Sequence, residues 1–124
     1  MQISEFDTKR YLSLATFRKS GVEVATPVWF AAMGEKLYVF TAPDSGKVKR
    51  LRNSPRARIA PCDARGNVKG EWRDATARIV DDAALVARAH QTLRAKYGWQ
   101  MVLTDFGARL AGRIRKRAYL EIDY

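Results

Sequence analysis

Three short stretches of this sequence carry residue types that could do chemistry. The first, FTAPDSGKVKRL, Phe40 to Leu51, ends a strand-like run at Thr41, turns, and begins a helix near Ser45. Free backbone N–H groups at a helix start favour an anion. Ser45 offers a hydroxyl, Gly46 allows close approach, and Lys47 supplies a point charge for phosphate. Against that stands a plainer reading, a basic helix face turned to water. The second stretch, ATPVWFA, Ala25 to Ala31, combines a proline with an aromatic: Thr26, Pro27, Val28 and Trp29. Backbone groups left unpaired beside Pro27 could bond a planar ring with amide edges, such as a flavin. The plainer reading is a bulged edge strand with Trp29 packed in the core. In the third, RARIAPCD, Arg56 and Arg58 alternate on a strand and share a face that could touch an acidic ligand tail.

Other chemistries lack their residues. Cys62 is the only cysteine and His90 the only histidine. An internal disulfide and two-cysteine metal motifs are excluded, no metal site is expected, and a Ser/His/Asp triad is disfavoured. Cys62 reads as buried filler and His90 as a structural residue of a helix. Asp81 and Asp82 read as helix-start residues rather than an acid–base pair, and no P-loop or GxGxxG motif is present.

The elements that must position these stretches follow at short spacing in a single domain over residues 1–124. Tyr11–Arg18 alternates as a strand, and Lys19–Gly21 turns. Val22–Met33 reads as one long strand, with Val22, Val24, Thr26, Val28 and Phe30 on one face. Pro27 assigns that part to a sheet edge or bulge. Lys36–Ala42 completes an apparent three-stranded meander. A short helix follows, capped by Asp44 or Ser45, with Val48 and Leu51 on its buried side and Pro55 beyond its end. Arg56–Asp63 and Glu71–Asp81 form a hairpin, and Asp81–Gly98 is the clearest helix, with Leu85, Ala89 and Leu93 along one side. Trp99–Gly112 suggests a second, shorter helix, and Lys116–Asp123 a final strand. Six or so antiparallel strands with flanking helices predict a small barrel, a mainly β fold.

The net charge of +10 favours acidic partners. Lys47, Lys49, Arg50, Arg52, Arg56 and Arg58 lie close together, and Arg109, Arg113, Arg115, Lys116 and Arg117 form a second basic run. Nucleic acid is not the expected partner, because SGKVKRLRNSPRAR contains no aromatic on which bases could stack. No apolar run of about 18 residues is present, so no membrane span is expected. The lone cysteine and the absence of a visible secretory signal suggest a cytoplasmic location.

The order of motifs, YLSLATF, GVEVATPVWFAA, then GEKLYVFTAPDSGKVKRLRNSPRARIAPCDARG, resembles the pyridoxamine 5′-phosphate oxidase-like superfamily. More narrowly it is similar to the flavin/deazaflavin oxidoreductase branch, whose members use coenzyme F-420. The resemblance is clear from Tyr11 to Val80 and looser through KYGW to the last strand. It implies an FMN-binding type of split β-barrel working as a homodimer, with cofactor sites at the subunit interface. It implies that Thr26, Pro27, Val28 and Trp29 lie along the flavin or deazaflavin ring through their main chain. Thr41, Ser45 and Lys47 would hold the phosphate, Lys49 and Arg50 would assist, and Arg56 and Arg58 would reach the tail or the second subunit.

The sequence also departs from the oxidases that act on pyridoxamine phosphate. They carry an arginine where Gly46 stands, and a longer C-terminal segment, so that substrate is not expected here. The expected function is hydride transfer between a reduced deazaflavin (coenzyme F-420), or FMN, and a small-molecule acceptor. The alternative is a carrier or binding protein for flavin, deazaflavin or haem, without turnover. A polyanionic ligand such as coenzyme F-420, with its phosphodiester and oligoglutamate tail, suits the many cations better than a single phosphate does. A cofactor that brings its own redox chemistry explains an apparatus poor in His, Cys and carboxylates.

Overall fold

The computed structural model describes residues 11–43, 45–98, 100, 103 and 117–124. Asp44, Trp99, most of the 99–112 helix reading and the basic run from Arg109 to Lys116 lie outside the described residues.

Seven strands form one antiparallel sheet: β1 (Tyr11–Phe17), β2 (Glu23–Val28), β3 (Phe30–Met33), β4 (Lys36–Thr41), β5 (Arg56–Cys62), β6 (Arg73–Val80) and β7 (Ala118–Asp123). Among the described residues two helices are set out in full, α1 (Gly46–Asn53) and α2 (Ala83–Tyr97). The strand order is β2-β1-β5-β6-β7-β4-β3. β2 and β3 therefore lie at opposite ends of the order, yet only Trp29 separates them in the chain. The sheet must curl until its two edges meet at that residue, which makes a split barrel with no ladder across the split.

This corrects the expected meander. Val22–Met33 is not one strand between its neighbours. Its first half pairs with β1 (Leu14 opposite Thr26, Ser13 opposite Pro27) and its second half pairs with β4 (Phe30 opposite Val39). Pro27 occupies an edge strand, where its missing N–H breaks no ladder. At Phe30 the open edge is closed by a side chain. The Tyr97 hydroxyl accepts from the Phe30 N–H and donates to the Phe30 carbonyl, both at 2.9 Å. Trp29 leaves both ladders, and its ring stacks on Tyr97 at 4.4 Å.

The inward faces follow the period of two. Leu12, Leu14, Val28, Phe30, Leu37, Val39, Ile59, Leu120 and Ile122 fill the interior, joined by Leu51 from α1. The outward face of β3, β4 and β7 carries Ala31, Tyr38 and Tyr119, on which α2 lays Ala89, Leu93 and Tyr97. Both helices start as their sequences direct. Ser45 caps α1, its hydroxyl accepting from Val48 N–H, and Asp82 caps α2, its carboxylate accepting from Ala84 and Leu85. Val48 and Leu51 are the buried residues of α1.

Glu121 is a buried carboxylate held across three neighbouring strands. It stands opposite Tyr38 on β4 and Arg78 on β6. The Tyr38 hydroxyl donates to it at 2.7 Å, Arg78 Nε at 2.7 Å and Lys36 Nζ at 3.3 Å. Burial pushes its pKa up, but the hydrogen bonds from Arg78, Tyr38 and Lys36 win and hold it at about 2. Burial, with the neighbouring carboxylate, pushes Tyr38 up to about 12.

Candidate functional site

The handover from β4 to α1 is a corner built of hydroxyls and cations. Thr41 Oγ1 lies 3.4 Å from Ser45 Oγ, and the Ser45 N–H donates to the Ala42 carbonyl, closing the turn. Lys47 leaves the first turn half-buried, and among the described residues no carboxylate pairs with it. Burial lowers its pKa, and Arg50 lowers it further. Arg50 is also half-buried; its Nε donates to Thr16 Oγ1 at 2.6 Å. Burial lowers the Arg50 pKa, and Arg18 adds to the effect. Lys47, Arg50 and Arg18 thus form a chain of mutually repelling cations. Lys49, one residue from Arg50, is exposed.

The segment Thr26, Pro27, Val28, Trp29 runs along the edge strand to the split. Thr26 Oγ1 is buried without a hydrogen-bond partner, and Pro27 is exposed. Val28 is buried in the interior and belongs to the core. Trp29 is half-buried, with Phe40 edge-on at 6.4 Å as well as the Tyr97 stack. The β5–β6 loop comes over this edge: a Cβ on Gly66 would lie 3.5 Å from the Pro27 ring, and Gly66 holds φ +88°. Such a backbone favours glycine, and the loop reaches the proline because of it.

Arg56 and Arg58 do share a face of β5, but each already has a neighbour. Arg56 lies 3.9 Å over the Phe17 ring. Arg58 pairs with Glu23 at 2.9 Å, approaches Asp74 at 4.0 Å and sits 5.0 Å from the Trp72 ring. The structure therefore groups Thr41, Ser45, Lys47 and Arg50 at one corner and Thr26 to Trp29 at the split. It sets Arg56 and Arg58 on the outer face of β5. Two contributors were not singled out from sequence. Thr16 had a signal, a hydroxyl where the alternation Leu12, Leu14 asks for an apolar side chain. Arg18 had its charge. Cys62 is buried, which raises its thiol pKa, with Asp63 adding to the effect. Among the described residues no group of His, Cys, Asp and Glu could hold a metal ion, and no helix is long and apolar enough to cross a membrane.

A curled antiparallel sheet whose two edges are consecutive in the chain defines the split-barrel class of cofactor-binding fold. The sequence model of the pyridoxamine 5′-phosphate oxidase family matches residues 2–124, and the chain belongs to that family. No curated protein matches it. Among solved structures it is similar to a conserved hypothetical protein from Mycobacterium tuberculosis (21% identity, TM-score 0.70, 98% of this chain and 79% of that one). It is also similar to HutZ, the haem storage protein of Vibrio cholerae (17%, 0.73, 98% and 86%), and to an F-420 reductase (17%, 0.62, 97% and 90%). At identities this low the likeness speaks for the fold.

Proposed function

We propose that this protein is an oxidoreductase that passes hydride between a reduced deazaflavin, coenzyme F-420, or FMN, and a small-molecule acceptor. It works as a homodimer with the cofactor between subunits. The observation that carries the reading is the corner where half-buried Lys47 and Arg50 stand beside the Thr41 and Ser45 hydroxyls with no carboxylate partner among the described residues. Uncompensated cations taken partly out of water are costly unless an anion meets them. Thr41, Ser45 and Lys47 would hold the phosphate, and Arg50 and Lys49 would add charge. The backbone from Thr26 to Trp29 would seat the ring, and the orphaned Thr26 hydroxyl is a donor fit for a ring carbonyl. Arg56 and Arg58 would meet the tail or the second subunit, Arg58 only by giving up Glu23. When bound, the ring supplies the hydride chemistry, and the protein binds, orients and excludes water.

The family membership and the likeness to an F-420 reductase support this reading. Side-by-side titration of FMN and coenzyme F-420 at physiological salt tests it, and oxidation of the reduced coenzyme by an added acceptor tests turnover. Lys47→Ala is expected to weaken binding about tenfold or more, the loss of one charge-assisted bond. Wild-type affinity in that variant would remove Lys47 from the site. Light scattering is expected to report a dimer; a monomer that binds cofactor fully would contradict an interfacial site.

The likeness to a haem storage protein favours a second reading, a carrier or binding protein for flavin, deazaflavin or haem without turnover. Tight binding with no oxidation of reduced coenzyme, or a shifted absorption band on titration with haem, would select it.

A further inference from the structure

We infer that Arg50 grips the anionic group of the ligand directly, and that the bare backbone of Gly46 and the hydroxyl of Thr16 are the positioning residues that hold its guanidinium at the first turn of α1. This rests on the reading of that corner as the phosphate seat and says how the seat is built.

Glycine at position 46 needs a reason. Gly46 is not among the glycines with positive φ, so no special backbone conformation calls for it. What it provides is space. A Cβ on Gly46 would lie 2.6 Å from Arg50 Nη1, 3.3 Å from Cζ and 3.4 Å from Nη2. Arg50 follows Gly46 by four residues, so the two share a helix face, and helical side chains lean back toward the N-terminus. The guanidinium therefore lies over the place a side chain at position 46 would fill.

Thr16 holds it from the other side. Thr16 is fully buried on β1, and its Oγ1 accepts from Arg50 Nε at 2.6 Å. That bond occupies Nε and leaves the Nη hydrogens, the fork that suits phosphate. Among the described residues no carboxylate takes them up. The charge of Arg50 is felt unfavourably by Lys47, and Arg50 feels that of Arg18 in turn. An arrangement serving only stability would place a carboxylate here or omit the cation; one that awaits an anion is expected to look like this.

The test titrates FMN, coenzyme F-420 and riboflavin, which lacks the phosphate, into the wild type and the variants Arg50→Met, Gly46→Ala, Thr16→Val and Lys47→Ala. Apo melting temperatures are recorded alongside. Arg50→Met is expected to weaken the phosphorylated cofactor about tenfold or more; its apo melting temperature, raised by loss of the repelled cation and lowered by loss of the Thr16 hydroxyl's partner, serves as the folding control. Gly46→Ala and Thr16→Val are expected to weaken it about three- to tenfold and to add nothing in the Arg50→Met background, because they act through that guanidinium. Any riboflavin affinity should be unaffected throughout. Wild-type affinity in Arg50→Met, with Lys47→Ala impaired, would overturn the inference and leave the corner standing. Full additivity of Gly46→Ala or Thr16→Val with Arg50→Met would overturn the positioning roles. Failure of the wild type to bind either phosphorylated cofactor would overturn the corner reading, and the inference with it.

Discussion

Tyr97→Phe is expected to destabilise the protein by about 2–4 kcal/mol, although it removes one oxygen atom. The hydroxyl is the partner of both the N–H and the carbonyl of Phe30, at 2.9 Å each, and all three groups are buried. Among the described residues the Phe30 edge of β3 has no further strand beside it, so phenylalanine would take from this donor and this acceptor the hydroxyl they share. Each such orphan costs about 1–3 kcal/mol. Packing is preserved, because the ring that stacks on Trp29 at 4.4 Å remains. Denaturant unfolding reads the loss, and hydrogen exchange at the Phe30 amide should quicken more than global unfolding explains. Unchanged stability with a protected Phe30 amide would show that Tyr97 does not close the split. Because Trp29 sits in that split, the variant should also loosen the proposed ring seat.

Glu121→Gln should cost about 3 kcal/mol near neutral pH, and the cost should fade in acid. The Glu121 pKa of about 2 in the fold lies below the ordinary 4.5. A depressed carboxyl pKa contributes stability that is fully present above the unfolded value. The contribution is lost as pH falls from about 4.5 towards 2. Wild type and variant should therefore converge across that window and differ by a constant amount above it. Tyr38 sets an opposite limit. Its pKa rises from 10.0 to about 12, so the neutral hydroxyl stabilises the fold below pH 10, and this is lost as pH climbs through 12. Denaturant midpoints between pH 2 and 7 measure the acid limb. Parallel wild-type and variant curves throughout would deny Glu121 that role. Lys36 and Arg78 are partly exposed, so high salt should trim the difference without erasing it.

Local rules were legible at many points. Ser45 and Asp82 cap the two helices, Val48 and Leu51 face inward from α1, and Leu85, Ala89 and Leu93 line the packed side of α2, because caps and periodicity act within a few residues. The alternations Leu12/Leu14, Leu37/Val39 and Leu120/Ile122 marked interior faces. Pro27 marked an edge or a bulge, where its missing N–H is tolerated, and the structure puts it on an edge strand. The candidate corner was legible as composition, Thr41, Ser45 and Lys47. The bond between Arg50 and Thr16 was not, because its partners lie 34 residues apart.

By itself the sequence determined most of the strand segments and both helices found among the described residues, which of their faces are apolar, and that the chain is strongly cationic. Only the tertiary structure decided that the run from Val22 to Met33 belongs to two edges of one curled sheet. The same holds for the seat of Arg50 against Gly46 and Thr16, and for the engagement of Arg58 by Glu23. Periodicity and capping are properties of neighbours along the chain. Which edge meets which, and which charge finds a partner, depend on closure of the barrel, where residues far apart in sequence compete for the same space and the same hydrogen bonds.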